Sequence, residues 1–214
     1  MDEIKVYDNL YMYRSGGGNM PITFNQYLLL GAEPILIHTG GYRQALELLP
    51  KLKNRIGDNT LSYIFISHFE SDECGGLNLI MDSYPRAVPV CSSVTARQIA
   101  GFGYNFKLLV KEPGAVLETR EYKLQFIGYP SEVHLWEGLL AYETVHKLLF
   151  CSDLFVNMEN VDKTQDEASL PALLDSILKR QIPSPGEAEK LKKELSGLDI
   201  EYAGPGHGPF LKLK

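Results

Sequence analysis

A strand-like apolar run in this chain ends in an unusual density of metal-binding side-chain types. Residues 66–76 read ISHFESDECGG, and the seven positions from His68 to Cys74 hold a histidine, two glutamates, an aspartate and a cysteine. Alternate residues of an extended segment point the same way, so His68, Glu70 and Asp72 can aim at one point. The pattern predicts a buried strand that delivers several ligands to one site.

Strand-like and helix-like stretches follow one another in two similar halves. The beginning of the chain is β-rich, and residues 107–153 are β-rich again. Apolar residues recur at helical spacing in residues 43–56, 166–181 and 186–198. This order predicts two sheets between helical layers, in a single domain that spans residues 1–214.

Composition and charge exclude several classes of function. The chain has 214 residues, 44% of them hydrophobic, and a net charge of −6 without a basic cluster. An acidic chain of this kind is a poor candidate for nucleic acid or anionic membranes, and no apolar stretch approaches the roughly 20 residues that span a bilayer. Three cysteines without a CxxC motif and a start without export features favour a cytoplasmic protein.

Three further candidate ligands follow strand-like runs elsewhere in the chain. His134 occurs in GYPSEVHLWEG, Asp153 in LLFCSDLF and His207 in YAGPGHGP. Loops at sheet ends are where binding residues concentrate. The complete candidate set has three imidazoles and three carboxylates: His68, Glu70, Asp72, His134, Asp153 and His207. Because one ion with an open position needs fewer ligands, the set favours two divalent metals.

The ordered set resembles a known family. H-x-E-x-D, then His, then Asp, then a late His is similar to the metallo-β-lactamase fold, and more narrowly to the diiron domain of flavodiiron proteins and of stand-alone oxygen-binding diiron proteins. The flanks LFCSDLF and GPGHGP match as well, and the likeness runs from about residue 5 to residue 210. The resemblance implies an α/β (α+β) protein: an αββα sandwich in which two mixed β-sheets are flanked by helices.

The resemblance also implies how the ligands divide between two iron ions. One iron would be held by a first group: His68, Glu70 and His134. A second iron would be held by Asp72 and His207, with Asp153 bridging the two ions. The centre would be an Fe–O–Fe or Fe–OH–Fe pair, and the chain would carry no FMN.

Two glutamates depart from the pattern of the hydrolases in this superfamily, which is H-x-H-x-D-H. Glu70 and Glu73 replace two of those histidines, and hard carboxylate ligands favour iron or manganese over zinc. Glu73 has three roles open to it: a ligand of the second metal, a hydrogen-bond acceptor for a ligand histidine, or a solvated side chain. Direct ligation is the least favoured of the three. Trp136 and Tyr129, on either side of His134, line the metal pocket or simply pack in the core.

The resulting hypothesis is a non-haem diiron protein that binds dioxygen or nitric oxide. As a reductase, and so an oxidoreductase enzyme, it would take electrons from a separate redox protein of rubredoxin or flavodoxin type. As a sensor, it would be read by a signalling partner, and the sequence leaves both open. A zinc-dependent hydrolase of the same fold is the alternative. A homodimer is also expected, because the flavodiiron relatives pair head to tail.

Overall fold

The fold was obtained as a computed structural model, which describes residues 1–16, 21–57, 61–130, 138–158, 162–177 and 181–214. The first strands are β1 (Asp2–Tyr7), β2 (Leu10–Gly16), β3 (Thr23–Leu29), β4 (Ile35–Ile37), β5 (Tyr63–Phe65), β6 (Val88–Cys91) and β7 (Leu109–Val110). The later strands are β8 (Val116–Glu118), β9 (Lys123–Tyr129), β10 (Gly138–Glu143), β11 (Leu148–Ser152), β12 (Gln165–Ala168), β13 (Tyr202–Pro205) and β14 (Phe210–Leu213). The helices are α1 (Tyr42–Ile56), α2 (Ser71–Cys74), α3 (Leu77–Ser83), α4 (Ser93–Gly101), α5 (Leu170–Asp175) and α6 (Pro185–Ser196).

The strands form two mixed sheets. The first sheet runs in chain order from β1 to β7, antiparallel up to β4 and parallel from there on. The second has the order β12-β14-β13-β11-β10-β9-β8, with parallel pairing of β11 with β13 and of β12 with β14. This arrangement confirms the predicted fold class.

Three apolar layers hold the sheets and helices together. The central layer joins the inner faces of both sheets, where Tyr27 packs on Phe150 and Phe65 on Phe126, with ring centroids 5.5 and 5.4 Å apart. The outer face of the first sheet packs against α1, α3 and α4. The outer face of the second sheet packs against α5 and α6. Burial on both faces explains the continuous apolar runs of the central strands.

Local signals set the helix boundaries. The Gly41 amide at the start of α1 donates to the side chain of Gln44 over 2.6 Å. The Ser92 hydroxyl accepts from the Thr95 amide at the start of α4, over 3.1 Å, which is ordinary helix capping. None of the helices in the described parts of the chain is long and apolar enough to cross a membrane.

The helix predicted for residues 166–181 is partly wrong. Residues 165–168 form the strand β12, which pairs in parallel with β14. The helix α5 begins only after Ser169, whose hydroxyl caps it by accepting from the Ala172 amide over 3.3 Å. The sequence QDEA has no strand-like apolar alternation because β12 is a largely exposed edge strand. Its strand state comes from pairing with β14.

Candidate metal centre

The candidate ligands meet where strands of both sheets end. His68 and Glu70 follow β5 of the first sheet, whereas Asp153 follows β11 and His207 follows β13 of the second. The two sheets are joined here by backbone hydrogen bonds, from the Leu139 amide to the Ser67 carbonyl and from the Asn25 amide to the Gly206 carbonyl, each over 2.8 Å. A sheet junction therefore holds residues that are far apart in the chain at one place.

One half of the centre is built around His68, which is almost fully buried. Its Nε2 atom lies 3.1 Å from Glu70 Oε2, 3.6 Å from Asp153 Oδ2 and 3.8 Å from Glu73 Oε2. Three carboxylates thus face one imidazole nitrogen. We call His68 and the carboxylate of Glu70 the His68 half.

The other half is built around His207. Its Nε2 atom lies 3.2 Å from Asp72 Oδ2 and 3.3 Å from Asp153 Oδ1. The edge of the imidazole contacts the ring of Phe24, with centroids 5.2 Å apart. We call His207 and the carboxylate of Asp72 the His207 half. Asp153 lies between the two halves and turns one oxygen towards each.

The Nδ1 atoms of His68 and His207, which are the ring nitrogens away from the carboxylates, are held by different groups. His207 Nδ1 donates to the backbone carbonyl of Thr23 over 2.8 Å. His68 Nδ1 instead lies 3.1 Å from the Ser67 hydroxyl and 3.3 Å from the Ser152 hydroxyl, which are 2.8 Å apart. His38 Nε2 completes this set at 2.9 Å from Ser67 Oγ. Contacts of this kind fix the orientation of a histidine and leave Nε2 for a metal.

Burial and charge act strongly on this cluster. Burial lowers the pKa of His38 to about 3, so this imidazole is neutral at physiological pH. Burial also lowers the pKa of His207, but the carboxylates of Asp153 and Asp72 raise it by more, to about 10. Burial raises the pKa of Glu73 well above its usual range, and the charges of Asp153, Asp72 and Glu70 raise it further. The neighbouring carboxylates thus make ionisation of Glu73 costly, and a bound cation would relieve their repulsion.

The structure brings five of the six predicted ligands together: His68, Glu70, Asp72, Asp153 and His207. The sixth, His134, lies outside the described residues, and so does Trp136. Glu73 is 1% exposed, so the solvated role is wrong for it. Tyr129 is buried and lines a cavity of about 300 Å³ with Gly138 and Leu139. His38 supports the cluster through its contact with Ser67.

Sequence reasoning missed the residues that support the ligands. Ser67 and Ser152 each stand directly before a candidate ligand at the end of a strand, and that position was the available signal. Gln181 donates its amide hydrogens to the carbonyls of Asp153 and Leu154 over 2.7 and 3.1 Å. It lies 28 residues further along the chain than Asp153, and no sequence pattern connects the two.

A family model described as ODP family beta lactamase matches residues 22–208. The chain belongs to this family. Membership confirms the resemblance that the ligand motifs indicated, and the match includes every candidate ligand from His68 to His207.

Relatives of this ODP-family chain are mostly longer proteins. The anaerobic nitric oxide reductase flavorubredoxin of Aliivibrio salmonicida is 27% identical over 87% of the chain, which spans 39% of that relative. A metal-soaked flavodiiron core from Synechocystis sp. PCC6803 superposes with a TM-score of 0.78, at 21% identity over 95% of this chain and 54% of that one. Rubredoxin oxygen:oxidoreductase of Desulfovibrio gigas gives a TM-score of 0.81 at 18% identity. The match covers 99% of this chain and 57% of that one. The chain thus spans well under half of the curated relative, and the solved structures show the fold alone.

The side chains of this ODP-family site fit a pair of metal ions. Two groups of residues each have ligand atoms within 4.8 Å of one another. The first is His68, Glu70 and Glu73, and the second is Asp72, Glu73 and His207. Buried oxygens of Glu73 and Asp153 have no hydrogen-bond partner among the described residues. Buried carboxylates are stable when paired or bound to metal. Oxygen-rich donors with a few imidazoles suit iron better than zinc.

Proposed function

We propose that this protein is a non-haem diiron protein that binds dioxygen or nitric oxide. One observation carries the proposal: Asp153 turns its two carboxylate oxygens to the two halves, 3.6 Å from His68 Nε2 and 3.3 Å from His207 Nε2. A carboxylate in that position suits a shared ligand of two ions. Family membership supports the proposal, as do relatives whose names describe a nitric oxide reductase and an oxygen oxidoreductase.

The proposed ligands divide as the ordered motif implies. His68 and Glu70 hold one iron together with His134. Asp72 and His207 hold the other, and Asp153 belongs to both. His134 is carried over from the motif alone, because it lies outside the described residues.

When bound at these residues, a pair of ferrous ions would supply a position for a diatomic ligand and electrons for its reduction. The side chains and backbone of the protein orient the candidate ligands and shield them from water. The hydroxyls of Ser67 and Ser152 hold His68 by its Nδ1 atom, and the Thr23 carbonyl holds His207 in the same way. Phe24 covers one edge of His207 and limits access of water there.

The remaining parts of the proposal concern the context of the site. We infer that residues 1–214 form one domain, and the central apolar layer shared by both sheets supports this. Electrons come from a separate redox protein of rubredoxin or flavodoxin type, or a signalling partner reads the gas-bound site. The protein works in the cytoplasm, and a homodimer is its proposed assembly.

The test is metal analysis of protein purified without oxygen, followed by exposure of the reduced protein to each gas. About two irons per chain and a changed absorption or EPR spectrum with oxygen or nitric oxide are expected. Asp8→Asn is a suitable control because its side chain is fully exposed in the turn after β1. Two zinc ions with ester or phosphodiester hydrolysis would support the alternative hydrolase. Iron that responds to neither gas would refute gas binding.

A further inference from the structure

Glu73 occupies a backbone position that the neighbouring strand holds firmly. Its carbonyl oxygen accepts hydrogen bonds from the Thr39 amide over 2.8 Å and from the Thr39 hydroxyl over 3.2 Å. Thr39 follows β4 and is completely buried. The one-turn helix α2 is therefore anchored beneath the centre, and the side chain of Glu73 is kept inside the protein.

The carboxyl group of Glu73 leaves one oxygen without a partner within the described polypeptide. Its Oε2 atom is buried without a hydrogen-bond partner among those residues, and His68 Nε2 lies 3.8 Å away, beyond hydrogen-bond distance. A buried carboxylate of this kind is unfavourable unless a cation compensates it. The side chain is aimed at the place where a cation is already proposed.

Glu73 is the residue common to both groups of ligand atoms. It lies with His68 and Glu70 in one group, and with Asp72 and His207 in the other. Its position thus resembles that of Asp153, which also faces both halves.

The role of hydrogen-bond acceptor for a ligand histidine does not fit the geometry of the described histidines. The Nδ1 atom of His68 is already taken by Ser67 and Ser152, and that of His207 by the Thr23 carbonyl. The Nε2 atoms are the ones that face the candidate metal positions. With a metal on Nε2, neither His68 nor His207 would have a remaining N–H group to donate to Glu73.

We propose that Glu73 is itself a metal ligand, a second carboxylate shared by the two halves. The inference rests on the proposed function, because it presupposes the iron pair. It reverses the sequence-based preference, in which direct ligation was the least favoured role. With Glu73 the centre has four carboxylates: Glu70, Asp72, Glu73 and Asp153. Their charge balances two divalent cations, and such a donor set favours hard ions.

The test compares Glu73→Gln, which keeps the shape and removes the charge, with the wild type. Competition with a chelator should show that ferrous iron binds to Glu73→Gln at least about tenfold more weakly than to the wild type. A loss of this size or larger is expected, because losing a group that only supports a metal ligand already costs about tenfold. The EPR signal of the half-reduced centre should also change. In metal-free protein the same substitution should leave the melting temperature unchanged or raise it, since it replaces a buried carboxyl group by an uncharged amide of similar size.

Glu143→Gln is the matched control. Glu143 is also completely buried, but its carboxylate accepts from the amides of Val145 and His146 over 2.9 and 2.8 Å, at the hairpin between β10 and β11. This variant should lower the melting temperature of the metal-free protein and leave the iron affinity of the folded protein unchanged.

Glu73→Asp, which restores the charge on a shorter side chain, should recover part of the lost affinity. Wild-type affinity and an unchanged EPR signal in Glu73→Gln would overturn the inference while the iron pair stands. If Glu73→Gln does not fold, an affinity in Glu73→Asp equal to that of the wild type would overturn it instead. A wild type that binds no iron would refute the proposed function itself.

Discussion

The His68 half and the His207 half present their histidines alike but support them differently. His207 donates from Nδ1 to the backbone carbonyl of Thr23 over 2.8 Å. His68 has its Nδ1 atom 3.1 and 3.3 Å from the hydroxyls of Ser67 and Ser152. A backbone carbonyl is present whatever the side chain, whereas hydroxyls can be gained or lost by substitution. The His68 half is therefore the one that sequence changes can tune.

Two residues next to the same half have an unusual backbone conformation. His38 and Ser152 have φ values of 62° and 49°, in the left-handed region. Non-glycine residues adopt this region at a cost on the order of 1 kcal/mol or more each. Both residues belong to the hydrogen-bonded set beneath His68. The fold thus accepts local strain on one side of the centre in order to hold one histidine.

The largest effect on iron binding is expected at Asp153, which faces both halves. Asp153→Ala removes an oxygen from each half and should lower the affinity for iron by more than about 100-fold, beyond the usual cost of losing a supporting group. Iron content after anaerobic reconstitution and desalting is the measurement. Asp8→Asn should keep the wild-type content, and full iron content in Asp153→Ala would show that the halves do not share this carboxylate.

Next in size are the losses of the individual histidines. His68→Ala and His207→Ala should each leave about one iron per chain, because the opposite half keeps its own ligands. Reconstituted protein should then show the EPR signal of an isolated ion. Loss of both ions in either variant would mean that the halves do not bind independently.

A smaller effect separates the two kinds of support. Ser67→Ala removes a hydroxyl next to His68 Nδ1 and should weaken iron binding about 10- to 100-fold. Thr23→Ser keeps the carbonyl that holds His207 and the hydroxyl that accepts from the Gly208 amide over 2.9 Å. It should change affinity by less than about threefold, well below the effect at Ser67. Chelator competition measures both, and equal effects would remove the distinction between the halves.

The last comparison concerns folding stability and not iron affinity, at two glycines that approach the halves. A Cβ at Gly138 would lie 3.1 Å from the Ser67 carbonyl oxygen and 3.3 Å from His68 Cβ, whereas one at Gly206 would meet atoms no closer than 3.4 Å. Gly138→Ala should cost about 1–3 kcal/mol of unfolding free energy. Gly206→Ala should stay within about 0.5 kcal/mol. Urea denaturation of the metal-free variants compares them, and similar costs would show that the His68 half is not the more tightly packed.

Several candidate ligands could be picked out in the sequence because a metal-binding side chain there follows an apolar strand. That combination is visible for His68, Asp153 and His207 in the sequence alone. The strand β12 escaped prediction because its residues QDEA lie at an exposed edge and gain their conformation from β14. Pairing between segments more than 40 residues apart leaves no local pattern.

The supporting contacts could not be predicted for a different reason. Serine is common at strand ends, so Ser67 and Ser152 are distinguished only by the distance between their hydroxyls, 2.8 Å in the folded protein. Burial excludes the solvated role for Glu73. From the sequence alone, a carboxylate in a motif of alternating polar residues looks solvated until the strand beside it is known.

Exchange coupling between the two irons tests the central claim most directly. Protein reconstituted with iron and oxidised should be EPR-silent, with a Mössbauer spectrum of a coupled ferric pair, because Asp153 faces both metal positions. An EPR signal of isolated ferric ions that accounts for all the bound iron would contradict a shared centre.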